Sequence, residues 1–273
     1  MRKIFQSLLV SIFVFSLFCC TSVPKSETAI TFHDYFKGKV TFEPNQNVAK
    51  NPYNKENFIH HWQDYYYEDE IYTSRMGVDI SRHDGEIDWK KLKNSGRDFV
   101  FLRAAWRGYE TGIMHVDENF HQNIVGALDA GFDVGVYVFS QATNEKEALE
   151  EAEFILNEIK DYKITLPVVF DPEHIYKDSG RSDDVTGEQF TKNAIVFCER
   201  VKQAGYEPMI YANLSWQAFV LDLEQLQDYK MWYADYQKVP RTPYDFEFWQ
   251  YSAWGDLPGT NTICDLDLWI IKK

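Results

Sequence analysis

Two carboxylates one residue apart, Asp171 and Glu173, end the apolar run Leu166-Pro167-Val168-Val169-Phe170 and lead into a polar stretch from His174 to Asp184. A short apolar, β-branched run of this kind reads as a buried strand that delivers acids to a rim. Side chains alternate along a strand with period two, so strand geometry continued to its end aims both carboxyls into one pocket. Two such charges do not both ionise cheaply, and one acid keeps its proton near neutral pH, the state a general acid needs. A lone D-x-E is more often a strand running into a solvated loop, so the surroundings decide.

The elements that position this pair begin at Met76-Gly77-Val78-Asp79-Ile80-Ser81, followed by a helix start at Asp88-Trp89. Strand and helix signals then alternate. Phe99 to Ala105 reads as a strand, Glu118 to Ala130 as a helix closed by Gly131, and Val134 to Phe139 as a strand. Asn144 caps a Glu- and Ala-rich helix to about Lys160, ahead of the Pro167 to Phe170 strand. A helix from about Gly187 to Ala204, ended by Gly205, precedes the strand Pro208 to Ala212. Alternation of this kind implies parallel strands joined by helical crossovers. The last third, Met231 to Tyr236, Phe246 to Tyr251 and Asp265 to Trp269, leaves little room for full helices. The expected fold is α/β, a TIM-like (β/α) barrel of about eight strands with helices missing in its C-terminal part, over residues 75–273.

In such barrels chemistry sits at the C-terminal strand ends. Asp79, Asp171, Glu173 and Asp235 fall there, and Asp265 begins the last strand. Aromatic residues gather at the same ends: Trp106, Tyr137, Phe139, Tyr211, Trp232, Tyr233, Trp249 and Tyr251. Acids among aromatics suit hydrolysis of a glycosidic bond, in which carboxyls protonate the leaving oxygen and offset oxocarbenium charge while rings stack on sugar faces.

Residues 1–20 read as an export signal, Met1-Arg2-Lys3 followed by the apolar run Ile4 to Phe18 and Cys19-Cys20. The end of the run resembles a bacterial lipoprotein signal with lipidation at Cys19 or Cys20, which implies export and a lipid anchor on the periplasmic or cell-surface side of a bacterial membrane. Residues 21–74 read as a tether and an aromatic-rich extension. Within it, Lys39 to Phe42 is a candidate strand, and Trp62 with Tyr65-Tyr66-Tyr67 either packs on the domain edge or stacks on sugars. The net charge of −14 excludes a nucleic-acid partner. Cys198 and Cys264 lack metal spacing, and are compatible with a disulfide or with two buried thiols. The scattered histidines form no ligand motif, so neither metal nor cofactor is expected, and a monomer is the default.

Taken in order, the residues resemble glycoside hydrolase family 25, the Chalaropsis-type lysozymes. Gly77-Val78-Asp79-Ile80-Ser81, Phe99 to Ala104, Gly108-Tyr109 to Gly112, Asp117 to Phe120, Gly131, Gly135 to Ser140 and Pro167 to Glu173 follow that family's pattern. So do Met209 to Asn213, Trp232 to Tyr236, Trp249 to Ser252 and Pro258-Gly259. The resemblance implies cleavage of the β-1,4 bond between N-acetylmuramic acid and N-acetylglucosamine in peptidoglycan glycan strands. It makes Glu173 the general acid/base and Asp171 the ionised helper that orients the substrate acetamido group. Asp79 and Asp235 complete an acidic floor that keeps the pKa of Glu173 high. Tyr137 and Tyr211 become substrate walls, and Arg103, Trp232, Trp249 and Asp265 further substrate contacts. Three positions depart from the family pattern: Val138 stands where His is common, Trp106 where Glu is, and Asp267 where Asn is usual.

Two other readings stay open. One is a chitinase-like hydrolase of another β-1,4 aminosugar, although the longer acidic series of that class is absent. The other is a surface lipoprotein that binds glycan without cutting it. An inverting or carboxylate-nucleophile route remains compatible with the residues, roughly 6.5 to 9.5 Å between carboxyls suiting the first and about 5 Å the second.

Overall fold

A computed structural model of the chain describes residues 28–175 and 180–273. The expected signal, with Cys19 and Cys20, lies outside the described residues. The chain divides into two compact units between Glu43 and Pro44. In the first, β1 (Ile30–Asp34) and β2 (Gly38–Phe42) form an antiparallel hairpin whose Phe32 and Phe42 rings meet edge to face at 6.1 Å.

The second unit opens with an antiparallel hairpin, β3 (Phe58–His61) and β4 (Asp64–Tyr67). The elements β5 (Tyr72–Ile80), α1 (Trp89–Asn94), β6 (Phe99–Arg107), β7 (Met114–Val116), α2 (Phe120–Asp129) and β8 (Asp133–Ser140) follow. Then come α3 (Glu145–Ile159), β9 (Val168–Pro172), α4 (Gly187–Gln203), β10 (Pro208–Asn213), α5 (Leu214–Phe219), β11 (Lys230–Ala234), β12 (Phe248–Gly255) and β13 (Cys264–Lys272). Eight strands close a barrel in the order β5-β6-β8-β9-β10-β11-β12-β13, since β5 pairs with both β6 and β13, and β7 borders β6.

The helices start and stop where local chemistry directs. The Asp88 side chain accepts from Lys91 N–H at 3.1 Å to cap α1, and Asn144 accepts from Glu147 N–H at 3.1 Å to cap α3. Gly131 and Gly205, at φ 81° and 89°, take the left-handed conformation just past α2 and α4.

The barrel is mixed, not all-parallel. β13 runs antiparallel to both β12 and β5. Only residues 256–263 join β12 to β13, too few for a crossover that would return the chain to the same end. β11 and β12 are parallel but joined without a helix, as the helix-poor last third leads one to expect. Where helices are missing, the β3–β4 hairpin covers the outside of β12. Tyr65 packs on Trp249 and Tyr251 at 5.0 and 5.1 Å between ring centroids, and Phe58 on Trp249 at 5.3 Å. The Asp64 carboxylate pairs with the buried Arg97 guanidinium.

Phe99, Phe101, Val169, Met209, Trp232 and Phe248 fill the barrel interior. Gly77 and Gly135 make room for them, because a Cβ at either would lie 2.4 Å from the Phe99 ring or 2.3 Å from the Phe101 ring. Cys198 and Cys264 are both buried free thiols.

Candidate active site

The interior parity of each strand, followed to its upper end, leads from packing residues to polar ones. On β9, Val169 belongs to the core and Asp171 follows two residues later; on β6, Phe101 is followed by Arg103; on β12, Phe248 is followed by Gln250. Asp79 on β5 pairs in register with Asp265 on β13, and Asp267 lies opposite both Gly77 and Gln250. Five carboxyls thus converge on one mouth: Asp79, Asp171, Glu173, Asp265 and Asp267.

A polar network ties them together. Gln250 Nε2 donates to Asp79 Oδ2 at 2.8 Å, and Gln250 Oε1 accepts from the hydroxyls of Tyr211 and Tyr236 at 2.8 and 2.9 Å. Below, Trp232 Nε1 donates to Asp267 Oδ1 at 2.8 Å. Its ring stacks on Phe101 at 4.7 Å and meets Tyr137 and Tyr211 edge-on at 5.9 and 5.0 Å. Tyr137 and Tyr211 therefore both pack edge-on against Trp232.

Burial decides the electrostatics. It pushes Glu173 up to about 7, while a hydrogen bond from Tyr211 pulls the other way. Because Tyr236 also donates to Gln250 Oε1, that amide keeps a donor when the single Tyr211 hydroxyl proton turns from Gln250 to Glu173. Burial, then the neighbouring charges of Glu173 and Asp79, raise Asp171 well above the usual carboxylate range. Asp79 and Asp267 are raised by burial and by neighbouring acids, and Asp265 is pushed up to about 9 by burial and Asp79. Arg103 opposes these charges, but it is ion-paired to Asp117 at 2.8 Å. Asp171 lies deeper than Glu173 and its Oδ1 is buried without a hydrogen-bond partner, so burial works against the ionised state expected of it.

Glu173 is held from behind by its backbone. Gln141, fully buried after β8, donates from Nε2 to the Glu173 carbonyl at 2.6 Å and accepts from Ser182 Oγ at 2.8 Å. Arg181 binds the Gln141 carbonyl at 2.9 Å and forks onto both oxygens of Glu147 at 2.6 and 2.7 Å.

Several expected contacts lie elsewhere. Asp235 has the parity of Tyr233, not of Trp232, and faces out of the barrel. There it accepts from Arg241 Nη2 at 2.7 Å and from Tyr233 Oη at 2.9 Å, so it is no part of the acidic floor. Trp249 also faces outward, against Phe58 and Tyr65. Trp232 faces inward but is only 1% exposed, which leaves no face for a sugar. Trp106 lies between the Arg82 guanidinium, 5.0 Å over its ring, and the stacked His115 ring at 4.3 Å. Gln141, Tyr236, Gln250 and Asp267 were not among the expected site residues. The alternation of β12 was the available signal for Gln250. Among the described residues, no group of three or more His, Cys, Asp or Glu side chains is arranged to hold a metal ion.

Comparison with known proteins agrees with this architecture. The autolytic lysozyme of Clostridium acetobutylicum is 25% identical over 192 residues, 70% of this chain and 54% of the relative, so the chain spans about half of that protein's length. The structure of a family 25 glycosyl hydrolase from Bacillus anthracis matches at TM-score 0.60 and 25% identity, over 77% of this chain and 94% of that one. The modular autolysin LytC from Streptococcus pneumoniae, solved in complex with a synthetic peptidoglycan ligand, matches in fold at TM-score 0.66 and 22% identity, over 89% of this chain and 57% of that one. The profile of Glycosyl hydrolases family 25 matches residues 78–260, and the chain belongs to that family.

Proposed function

We propose that the protein is a lysozyme-type peptidoglycan hydrolase that cleaves the β-1,4 bond between N-acetylmuramic acid and N-acetylglucosamine. The observation that carries this reading is Glu173, a partly buried carboxyl pushed up to about 7, beside the deeper Asp171 and under the hydroxyl of Tyr211. A carboxyl that half-keeps its proton near neutral pH is matched to general acid catalysis. Glu173 protonates the glycosidic oxygen as the bond to the anomeric carbon breaks, and the departing N-acetylglucosamine leaves as an alcohol. The acetamido carbonyl of the muramic acid closes on the anomeric carbon, its N–H held by Asp171. Glu173, now a carboxylate, takes a proton from the water that opens this ring and frees a muramic-acid reducing end. The peptidoglycan ligand of LytC supports the choice of substrate over chitin.

Incubation with purified peptidoglycan and with chitin, followed by mass spectrometry of new reducing ends, tests the reading. Muramic-acid ends from wild type and none from Glu173→Gln are expected. Chitooligosaccharides, or activity near wild type in the variant, overturn it. We also propose that the protein is exported and lipid-anchored at Cys19 or Cys20. Radiolabelled palmitate should enter wild type but not a chain lacking both cysteines.

A further inference from the structure

The two-residue turn that closes the β3–β4 hairpin is Trp62-Gln63. Trp62 sits at φ 61°, the one non-glycine with positive φ among the described residues. The first central position of such a turn, when it takes positive φ, is ordinarily glycine's. A tryptophan there is strained, and strain kept in place by its surroundings points to use. The ring is not hidden in compensation: Trp62 is 87% exposed.

The surroundings fix this tip firmly. Gln63 Nε2 donates to the Asp256 carbonyl at 3.0 Å, and Asp256 N–H donates to Gln63 Oε1 at 3.0 Å. Residues 256–263 follow the upper end of β12, the strand that places Gln250 among the acids. They are tied to the segment after β5 by Asp88 N–H to the Gly259 carbonyl at 2.8 Å and Asn261 Nδ2 to the Glu86 carbonyl at 3.0 Å. Trp254 stands at the entry to this loop, 72% exposed. Two tryptophans thus flank one clamp on the rim of the mouth, on a sector that the helices leave bare.

We propose that Trp62 and Trp254 form an outlying sugar-stacking platform that holds a glycan strand beyond the reacting bond. The proposal rests on the glycan-cleaving reading above and extends it to Trp62, which lies outside the stretch matched by the family profile, together with Trp254 near that stretch's end. Rigid, exposed indoles bind the apolar faces of pyranose rings with little loss of side-chain freedom. Their setting favours sugar over an anionic membrane surface. The chain carries a net charge of −14, and the clamp offers an amide and an acid, not the lysines and arginines that such a surface attracts.

The test uses full-length protein carrying Glu173→Gln, so that glycan is bound without being cut. Trp62→Ala with Trp254→Ala should weaken co-sedimentation with insoluble peptidoglycan about tenfold. Trp62→Gly relieves the strained φ, so its melting temperature should hold or rise while binding falls, which separates lost stacking from lost fold. In the active protein, the double variant should lose more kcat/KM on long glycan strands than on short oligosaccharides. Unchanged sedimentation overturns the proposal, as does an equal loss on long and short chains. Tryptophan-dependent binding to phosphatidylglycerol vesicles without binding to glycan overturns it in favour of a membrane contact. Tryptophan-dependent glycan binding by a wild type that releases no reducing ends supports the platform and removes only the hydrolytic reading.

Discussion

Gln141 Nε2 lies 2.6 Å from the backbone carbonyl of Glu173, and the same amide's oxygen accepts from Ser182 on the far side of the loop after β9. One buried side chain thus fixes the segment that carries the proposed proton donor from both directions. A small displacement of a catalytic group costs about a hundredfold in rate.

Gln141→Leu leaves the Glu173 carbonyl and the Ser182 hydroxyl without their partner. The expected result is a fall in kcat of roughly ten- to a hundredfold, with a smaller change in KM. Stability should drop by about 1–3 kcal/mol, the usual consequence of buried polar groups left unpaired. Steady-state kinetics on soluble glycan strands, with a chemical denaturation curve for each protein, checks both. A variant that loses stability but keeps kcat would make Gln141 a packing residue only.

Glu173 must hold its proton to act as the acid, so activity should decline on the alkaline side through about pH 7. The hydrogen bond from Tyr211 favours the ionised form. Removing the hydroxyl in Tyr211→Phe should therefore move the alkaline limb to higher pH while the ring still walls the site. A kcat/KM profile from pH 5 to 9 reads the shift. A limb that moves down, or not at all, removes Tyr211 from the electrostatics of Glu173.

How much of this arrangement is legible in the residues depends on how far period two is carried. It aligns Asp171 with the interior residue Val169, and Tyr211 with Met209, and both stand where alternation sends them. The same rule separates Trp232 from Tyr233 and Asp235, and Phe248 from Trp249; a run in which both faces are aromatic hides the distinction. Both faces are apolar because β11 and β12 are covered from outside, partly by the β3–β4 hairpin, and local sequence carries no mark of that cover. The antiparallel β13 was legible in principle from its short connection, and Asp265 and Asp267 owe their place beside Asp79 to it. The paired tethers of Gln141 join residues 32 and 41 positions apart and leave no local pattern.

The crowd of raised acids sets the sign of the pH dependence of stability. A carboxyl whose pKa is higher folded than unfolded binds more protons in the native state between those two values, so stability is lost as pH rises through that window. Asp265, pushed up to about 9, and Glu173, pushed up to about 7, place the loss from about pH 4 upward, with the folded protein strained most toward pH 9. Asp267→Asn keeps an acceptor for the Trp232 indole and removes one buried ionisation. Its melting temperature should therefore exceed wild type at pH 8.5 and approach it at pH 5. A melting temperature that climbs from pH 5 to 9 in wild type would contradict the burial of these groups.

Asp235 separates the two views of the acidic floor. With its carboxylate on the outer face of β11, bound by Arg241 and Tyr233, its work is to fix the chain after the strand, not to touch substrate. Asp235→Asn weakens an ion pair whose carboxylate is buried and whose guanidinium is partly exposed, and should reduce stability by about 1–3 kcal/mol. The kcat should stay within about twofold of wild type, a change too small for a lost catalytic carboxylate, whose removal typically slows an acid/base step by 10²–10⁴-fold. Asp265→Asn, made in the register position beside Asp79, should reverse the pattern. It relieves a buried ionisation and holds or raises stability, while the missing acid lowers kcat. Denaturation curves and kcat measured on the two variants side by side decide which aspartate completes the mouth. A large rate loss in Asp235→Asn with stability unchanged would return that residue to the floor.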